Sequence, residues 1–209
     1  MADAQKLSES HEGKPLAFRR EDIPAKGYTY KDYLSWGDDV RFELLDGIPH
    51  MMAAPTRWHQ QVTFEISRQL GNWLEGKPCE VIAAPFDVRL FPEADKSDRV
   101  VVQPDVLVIC DGGKLSDGKA CQGAPDFVVE VASKGTRGKD FREKKALYEK
   151  ARVREYWVVE AGAVYKYVPV DGEYLETVHD LDEDSAISVD VLPGCSIDFQ
   201  KIKGFDFKG

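Results

Sequence analysis

The sequence predicts a mixed α/β fold in which helices flank a central sheet. Apolar residues recur at helical spacing over residues 56–76 and 140–151. Two continuous apolar runs, at 101–110 and 125–135, are typical of strands that are covered on both faces. The elements follow the order helix, hairpin, helix, strands, helix and strands, and this order indicates a mixed sheet with helices packed beside it.

Local signals predict the individual elements. Residues 28–39 indicate a short helix that ends at Gly37. Two apolar runs around Asp46-Gly47 predict a hairpin over 41–54, because Asp-Gly is a strong two-residue turn signal. The remaining elements, in chain order, are a helix at 56–76, one or two strands at 79–91 broken at Pro85, the two apolar strands, a helix at 140–151, a strand at 155–160, a hairpin that turns at Asp171-Gly172, and a last ordered stretch at 191–199.

Length and composition indicate one globular domain. The chain has 209 residues, of which 43% are hydrophobic and 31% are charged, and this is enough for a single core. We expect residues 1–26 to form a flexible arm and residues 27–209 to form the domain. No apolar stretch approaches the roughly 20 residues that span a bilayer. The polar N-terminus has no apolar signal core, so we expect a cytoplasmic protein and no membrane partner.

The four cysteines carry no metal-binding spacing. Cys79, Cys110, Cys121 and Cys195 are scattered without a C-x-x-C pair, so zinc is not expected. Nor does the pattern require a disulfide framework. We therefore predict that Cys79 and Cys110 are reduced thiols.

Charge is segregated along the chain. The net charge is −9, which argues against binding nucleic acid by bulk electrostatics. However, residues 133–154 hold nine Lys or Arg and three Asp or Glu, an excess of 9 − 3 = +6, whereas residues 171–190 hold eight acids and no Lys or Arg. The basic segment is either a contact for a phosphate backbone or a solvated helix face.

Two carboxylates stand inside the apolar strands. Asp105 and Glu130 are surrounded by Val, Leu, Ile and Phe residues, and a buried carboxylate is costly unless a cation meets it. On the predicted helix at 140–151, Lys144 falls near the centre of the apolar stripe, so its amine should point toward the sheet. Two carboxylates suit Mg²⁺ or Mn²⁺. A structural network of ion pairs is the alternative that spacing leaves open.

These residues lie in segments that resemble a large bacterial family of restriction-endonuclease-like proteins, the Uma family of the PD-(D/E)xK nuclease superfamily. The segments occur in order over roughly residues 28–200: "RFELLDG", "APFDVRL", "VVQPDVLVI", "PDFVVEVAS" and "KDFREKKALYEKARVREYWVVE". The resemblance implies a restriction-endonuclease-like mixed central sheet flanked by helices, with additional β-hairpins. It also implies a Mg²⁺-dependent nuclease site.

The resemblance assigns roles by position. Asp105 matches the aspartate of the PD motif, and Glu130 matches the acid of the (D/E)xK half-motif. Lys144 matches a lysine that the family has moved from the strand to the following helix. Glu43 matches a further acid that assists at the metal site.

Two departures from the pattern bear on the site. Ala132 stands two residues after the motif acid, where the lysine usually lies. Lys134, at the exit of the strand, is therefore the alternative to the helical lysine. Ile48 stands where the family usually has an acid.

Further residues are candidates for substrate binding. His59 begins a helix and is either a phosphate contact or proton carrier, or a surface or capping residue. Gln103 alternates onto the same strand face as Asp105 and either orients a ligand or packs at the strand end. Arg137 and Lys139 lie in a polar loop that either contacts a phosphate backbone or is solvated. Tyr148 is either a core residue only, or a core residue whose hydroxyl also bonds a carboxylate of the site.

We therefore predict an endonuclease that uses Mg²⁺, with Mn²⁺ as a substitute, to hydrolyse phosphodiester bonds of DNA. Asp105 and Glu130 bind the metal, Glu43 assists, and Lys144 orients the attacking water or stabilises developing charge. One alternative is a binding module for nucleic acid or protein with weak or no catalysis, which the negative charge and the displaced lysine favour. Another is a hydrolase of small phosphate esters. We expect a homodimer formed through the aromatic-rich hairpins.

Overall fold

The structure is a computed structural model that describes residues 23–36, 41–184 and 186–202. It divides into two compact units, the first made of Met1–Ala54 and Phe91–Val102, and the second of Pro55–Leu90 and Gln103–Gly209. Gly37 and residues 1–22 of the predicted arm lie outside the described residues. Within the described ranges, no helix is both long enough and apolar enough to cross a membrane.

Among its described residues, the first unit contains one short helix and three strands, which are α1 (Tyr30–Tyr33), β1 (Phe42–Leu45), β2 (Ile48–Met51) and β5 (Val101–Val102). Strand β1 pairs antiparallel with β2 and with β5. The β1–β2 connection turns at Asp46 and Gly47, whose φ angles are 49° and 82°, as a two-residue turn with positive φ at both positions requires. The predicted hairpin over 41–54 is confirmed.

The second unit holds the remaining elements. Its helices are α2 (Arg57–Leu74), a π-helical turn (Lys139–Lys144) and α3 (Lys145–Ala151), with 3-10 turns at Gly112–Leu115 and Phe199–Lys201. Its strands are β3 (Glu80–Ala83), β4 (Asp87–Arg89), β6 (Val106–Ile109), β7 (Ala120–Gln122), β8 (Phe127–Val131), β9 (Glu155–Glu160), β10 (Ala163–Val170), β11 (Glu173–Asp180), β12 (Ala186–Val189) and β13 (Cys195–Asp198).

A six-stranded mixed sheet organises the second unit. Its strand order is β11-β10-β9-β8-β6-β3, and β8 and β9 are parallel whereas the other neighbours are antiparallel. Strands β4 and β7 form a parallel pair, and β12 and β13 form a hairpin. The predicted α/β class, a mixed sheet with flanking helices and additional hairpins, is confirmed.

Opposite faces of this sheet bury different helices. Helix α2 packs its apolar stripe, which includes Ile66 and Leu70, into the same core cluster as Val129 and Trp157 of the sheet. Successive strand residues point to opposite faces, so Glu130 faces the other side of the sheet. Tyr148 of α3 contacts Glu130 there. The site acid therefore lies on the face that α3 covers.

The predicted helix at 140–151 differs from the structure in one respect. Residues Lys139–Lys144 form a π-helical turn, and regular α-helix begins only at Lys145. The π-helical turn is rare and is frequently found at functional sites. The wider winding of the π-helical turn changes the angular positions of its residues around the helix axis. Lys144 is nevertheless buried.

The prediction of reduced thiols at Cys79 and Cys110 is wrong, because these two residues form a disulfide. Strands β3 and β6 pair in the register Glu80↔Ile109. The residue before Glu80 therefore lies beside the residue after Ile109. The pairing of β3 with β6 determines this contact, and cysteine spacing alone does not indicate it. Cys121 and Cys195 are buried and free, and burial raises the pKa of each thiol to about 11.

We expect the disulfide to contribute substantially to stability. It closes a loop with a sequence separation of 31 residues, and in the chain-entropy treatment such a loop is worth about 3–4 kcal/mol. The double variant Cys79→Ser/Cys110→Ser should lose about that much unfolding free energy in urea titrations. A reductant should lower the urea midpoint of the wild type and leave that of the double variant unchanged. Equal behaviour of the two proteins with and without reductant would contradict this account.

Candidate active site

Asp105 immediately precedes β6 and lies against β8. Its Oδ2 accepts a hydrogen bond of 2.8 Å from the Val131 amide. The antiparallel register pairs Val106 with Val129, the residues next to Asp105 and Glu130. The two acids found in the sequence are therefore carried by neighbouring strands that pair with each other.

Glu130 forms a buried ion pair with Lys144. The Nζ atom of Lys144 contacts Oε1 of Glu130, and the two residues are only 2% and 4% exposed. The predicted inward position of Lys144 is thus confirmed. Lys134, the alternative lysine, is exposed at the exit of β8. The catalytic role of Lys144 stays a prediction.

A cluster of tyrosines packs around this ion pair. Tyr148 donates a hydrogen bond of 2.6 Å from its hydroxyl to Oε1 of Glu130. The ring of Tyr148 lies 4.8 Å from that of Tyr156, whose hydroxyl donates to the Asp140 carbonyl at 3.0 Å. Burial raises the pKa of Tyr156 well above its usual value, and the nearby charges of Glu130 and Asp140 act in the same direction. Tyr156 is therefore a neutral packing residue.

His59 reaches the same site from the first turn of α2. Thr56 caps this helix by accepting the His59 amide at 3.2 Å, and the cap places the imidazole so that Nε2 lies 3.1 Å from Oδ2 of Asp105. Nδ1 lies 3.5 Å from the Thr63 hydroxyl. The expected substrate contact of His59 stays a prediction, but the structure gives this residue a direct carboxylate partner that the sequence did not indicate.

The other substrate-binding candidates have partners of their own. Gln103 is buried and donates from Nε2 to Oδ1 of Asp87 at 2.8 Å. Arg137 pairs with Glu160, with Nε to Oε1 at 2.6 Å. Lys139 begins the π-helical turn. No phosphate contact is established for any of the three, and their roles stay predictions.

The predicted assisting acid, Glu43, belongs to the first unit. It is buried in β1 and stands opposite His50 of β2 in the hairpin register. Its buried position is unusual for a carboxylate. Its assignment as a metal ligand stays a prediction.

The donor set of the site fits a hard divalent cation. Asp105 and Glu130 supply carboxylate oxygens on neighbouring strands, and Mg²⁺ is commonly held by one or two protein carboxylates together with water and substrate phosphates. Within the described residues, no three His, Cys, Asp or Glu side chains are grouped so as to hold a metal. A metal held by Asp105 and Glu130 would therefore need water or substrate for its remaining ligands.

The mixed α/β fold, with acids on two neighbouring strands and a buried lysine on the next helical segment, agrees with the restriction-endonuclease-like class. The chain belongs to the Uma2 family, described as "putative restriction endonuclease", whose model matches residues 30–200. No curated protein matches the sequence.

A solved structure has the same fold. It is the crystal structure of a protein described as a putative nuclease belonging to DUF820 from Anabaena variabilis ATCC 29413. The match has a TM-score of 0.66 and 13% sequence identity, and it covers 85% of this chain and 98% of that chain. At this identity the likeness shows the fold alone.

Proposed function

We propose that this chain is a metal-dependent endonuclease that hydrolyses DNA phosphodiester bonds. The observation that carries the proposal is the buried contact of Lys144 with Glu130 on β8, the strand whose Val131 amide donates to Asp105. Membership of the Uma2 family supports the same class of reaction. A buried pair of lysine and glutamate also occurs in structural networks, and the experiments below distinguish the two cases.

Each residue of the site has a defined task in this proposal. Asp105 and Glu130 would hold Mg²⁺ or Mn²⁺, which when bound supplies Lewis-acid stabilisation of charge on the scissile phosphate. Lys144 orients the attacking water or neutralises charge that develops on the phosphate. His59 and the Val131 amide hold the carboxylate of Asp105 in place. Ordered carboxylates reduce the reorganisation that ligand binding requires.

Metal dependence tests the proposal directly. Supercoiled plasmid incubated with the protein and Mg²⁺ or Mn²⁺ should be converted to nicked and linear forms. Two negative carboxylates alone repel the anionic phosphate, and a bound cation supplies the positive charge that stabilises the transferring phosphoryl group. EDTA should abolish the conversion, and excess Mg²⁺ should restore it. Conversion that is equally fast in EDTA would contradict a metal-dependent reaction by this site.

A binding module is the second candidate, and one observation favours it. Both site carboxylates already have partners within the chain, since His59 contacts Asp105 and Lys144 contacts Glu130. A module of this kind needs no metal. Calorimetric titration with Mg²⁺ distinguishes the two functions. Only the endonuclease requires Mg²⁺ binding, and Asp105→Asn should weaken that binding.

A further inference from the structure

The carboxylate of Glu130 receives two donors on a single oxygen. The Nζ atom of Lys144 and the hydroxyl of Tyr148 both contact Oε1, and the hydroxyl distance is 2.6 Å. Tyr148 is fully buried, at 0% exposure. Hydrogen bonds from a phenol or an ammonium to a carboxylate are the stronger kind, because the acceptor is charged. Two such bonds on Oε1 fix the plane of the carboxylate, and thereby the direction of Oε2.

The helix sets the spacing of the two donors. Lys144 ends the π-helical turn, and Tyr148 follows four residues later in α3, where side chains lie one above the other on one helix face. The ring of Tyr148 is held against Tyr156, and the hydroxyl of Tyr156 is bonded in turn to the Asp140 carbonyl. The phenol of Tyr148 is thus held in position by packing before any ligand arrives.

We propose that Tyr148 is a positioning residue that orients Glu130 as a metal ligand. The proposal rests on the proposed function of the site. Tyr148 itself does not touch metal or substrate. Its hydroxyl shares the negative charge of Oε1 with Lys144, so the carboxylate keeps its orientation when the amine of Lys144 turns toward a phosphate. Residues that hydrogen-bond to a metal-binding carboxylate without touching the metal contribute about 10- to 100-fold to metal affinity or activity.

Tyr148→Phe removes one oxygen atom and tests the proposal. The dissociation constant for Mn²⁺, measured by calorimetry or by the electron paramagnetic resonance of the free ion, should rise by about 10- to 100-fold. The matched control is Tyr174→Phe. Tyr174 donates its hydroxyl to the Val153 carbonyl at 2.8 Å and packs in the same tyrosine cluster, but this bond does not involve the site acids. The control should bind Mn²⁺ within about twofold of the wild type.

A coupling measurement separates orientation from a general loss of structure. In Glu130→Gln, Tyr148→Phe should cause no further loss of Mn²⁺ affinity, because the ligand that it orients has gone. Unchanged Mn²⁺ affinity in Tyr148→Phe, or equal losses in Tyr148→Phe and Tyr174→Phe, would overturn the positioning role while leaving the proposed function intact. A wild-type protein that binds no Mn²⁺ overturns the proposed function and this inference with it.

Discussion

Asp105→Asn should reduce Mg²⁺-dependent plasmid cleavage by about 100-fold or more. Asparagine has nearly the same shape and keeps an oxygen that can accept the Val131 amide, which donates to Asp105 at 2.8 Å. The substitution removes the negative charge that attracts the cation. Stabilisation of a transferring phosphoryl group by a bound metal is worth several kcal/mol. Each 1.36 kcal/mol corresponds to a tenfold change in rate, so the cleavage rate should fall by about 100-fold or more.

Asp126→Asn is the matched control for this variant. Asp126 immediately precedes β8 as Asp105 precedes β6, and its Oδ2 accepts the Cys110 amide, also at 2.8 Å. It pairs with the exposed Arg154 and has no predicted role in the site. Asp126→Asn should cleave plasmid at nearly the wild-type rate. Equal activity in Asp105→Asn and Asp126→Asn would show that the nuclease activity does not depend on the proposed site.

Lys166→Met should destabilise the fold by about 3–5 kcal/mol, the range for removal of one partner of a buried ion pair. Lys166 is 5% exposed, and its Nζ atom donates to the Ser188 carbonyl at 2.9 Å and contacts Asp190 at 2.7 Å and Glu155 at 3.5 Å. Glu155 is completely buried. Lys166→Met removes the cation that lies 3.5 Å from this buried carboxylate. Urea unfolding followed by circular dichroism measures the loss.

The pH dependence of this defect provides an internal check. Burial raises the pKa of Glu155 above its ordinary value of 4.5. When the pKa of a carboxyl is higher in the folded state than in the unfolded state, protonation of that carboxyl stabilises the fold. This stabilisation is lost as the pH rises through the folded-state pKa. The cost of Lys166→Met should therefore be largest near pH 7 and should shrink as the pH falls toward 4.5. A loss independent of pH would contradict the assignment to Glu155.

Lys145→Met is the control for the effect on stability of replacing any lysine of this unit by methionine. Lys145 is half-buried, and its Nζ lies 4.6 Å from the ring centroid of Tyr167, so its removal should cost only about 0.5–2 kcal/mol. The double variant Lys166→Met/Glu155→Gln should recover part of the stability lost in Lys166→Met, because no buried charge remains unpaired.

Local signals in the sequence were sufficient to predict most of the elements. The Asp46-Gly47 and Asp171-Gly172 turns lie where predicted, because their positive φ angles follow from residue type. Helix α2 follows from its 3.6-residue period. The inward position of Lys144 followed from its place in an apolar stripe, and this reasoning holds although the first turn is π-helical.

Features that depend on which strands pair could not be predicted from the sequence. The Cys79–Cys110 disulfide arises from the pairing of β3 with β6, and no local pattern reports that pairing. The contact of His59 with Asp105 depends likewise on where α2 begins relative to the sheet. The burial of Lys166 and Glu155 could have been predicted from the sequence, because each is a charged residue in an apolar strand. The same signal identified Glu130.

Diffraction from a crystal soaked in Mn²⁺ tests the central claim most directly. The account predicts an anomalous peak in contact with a carboxylate oxygen of Asp105 and one of Glu130, at about 2.0–2.6 Å as is usual for hard cations. Lys144 should remain at the edge of the site. A crystal saturated with Mn²⁺ that shows no peak between these two acids, and in which Lys144 and Glu130 remain paired, would contradict the claim.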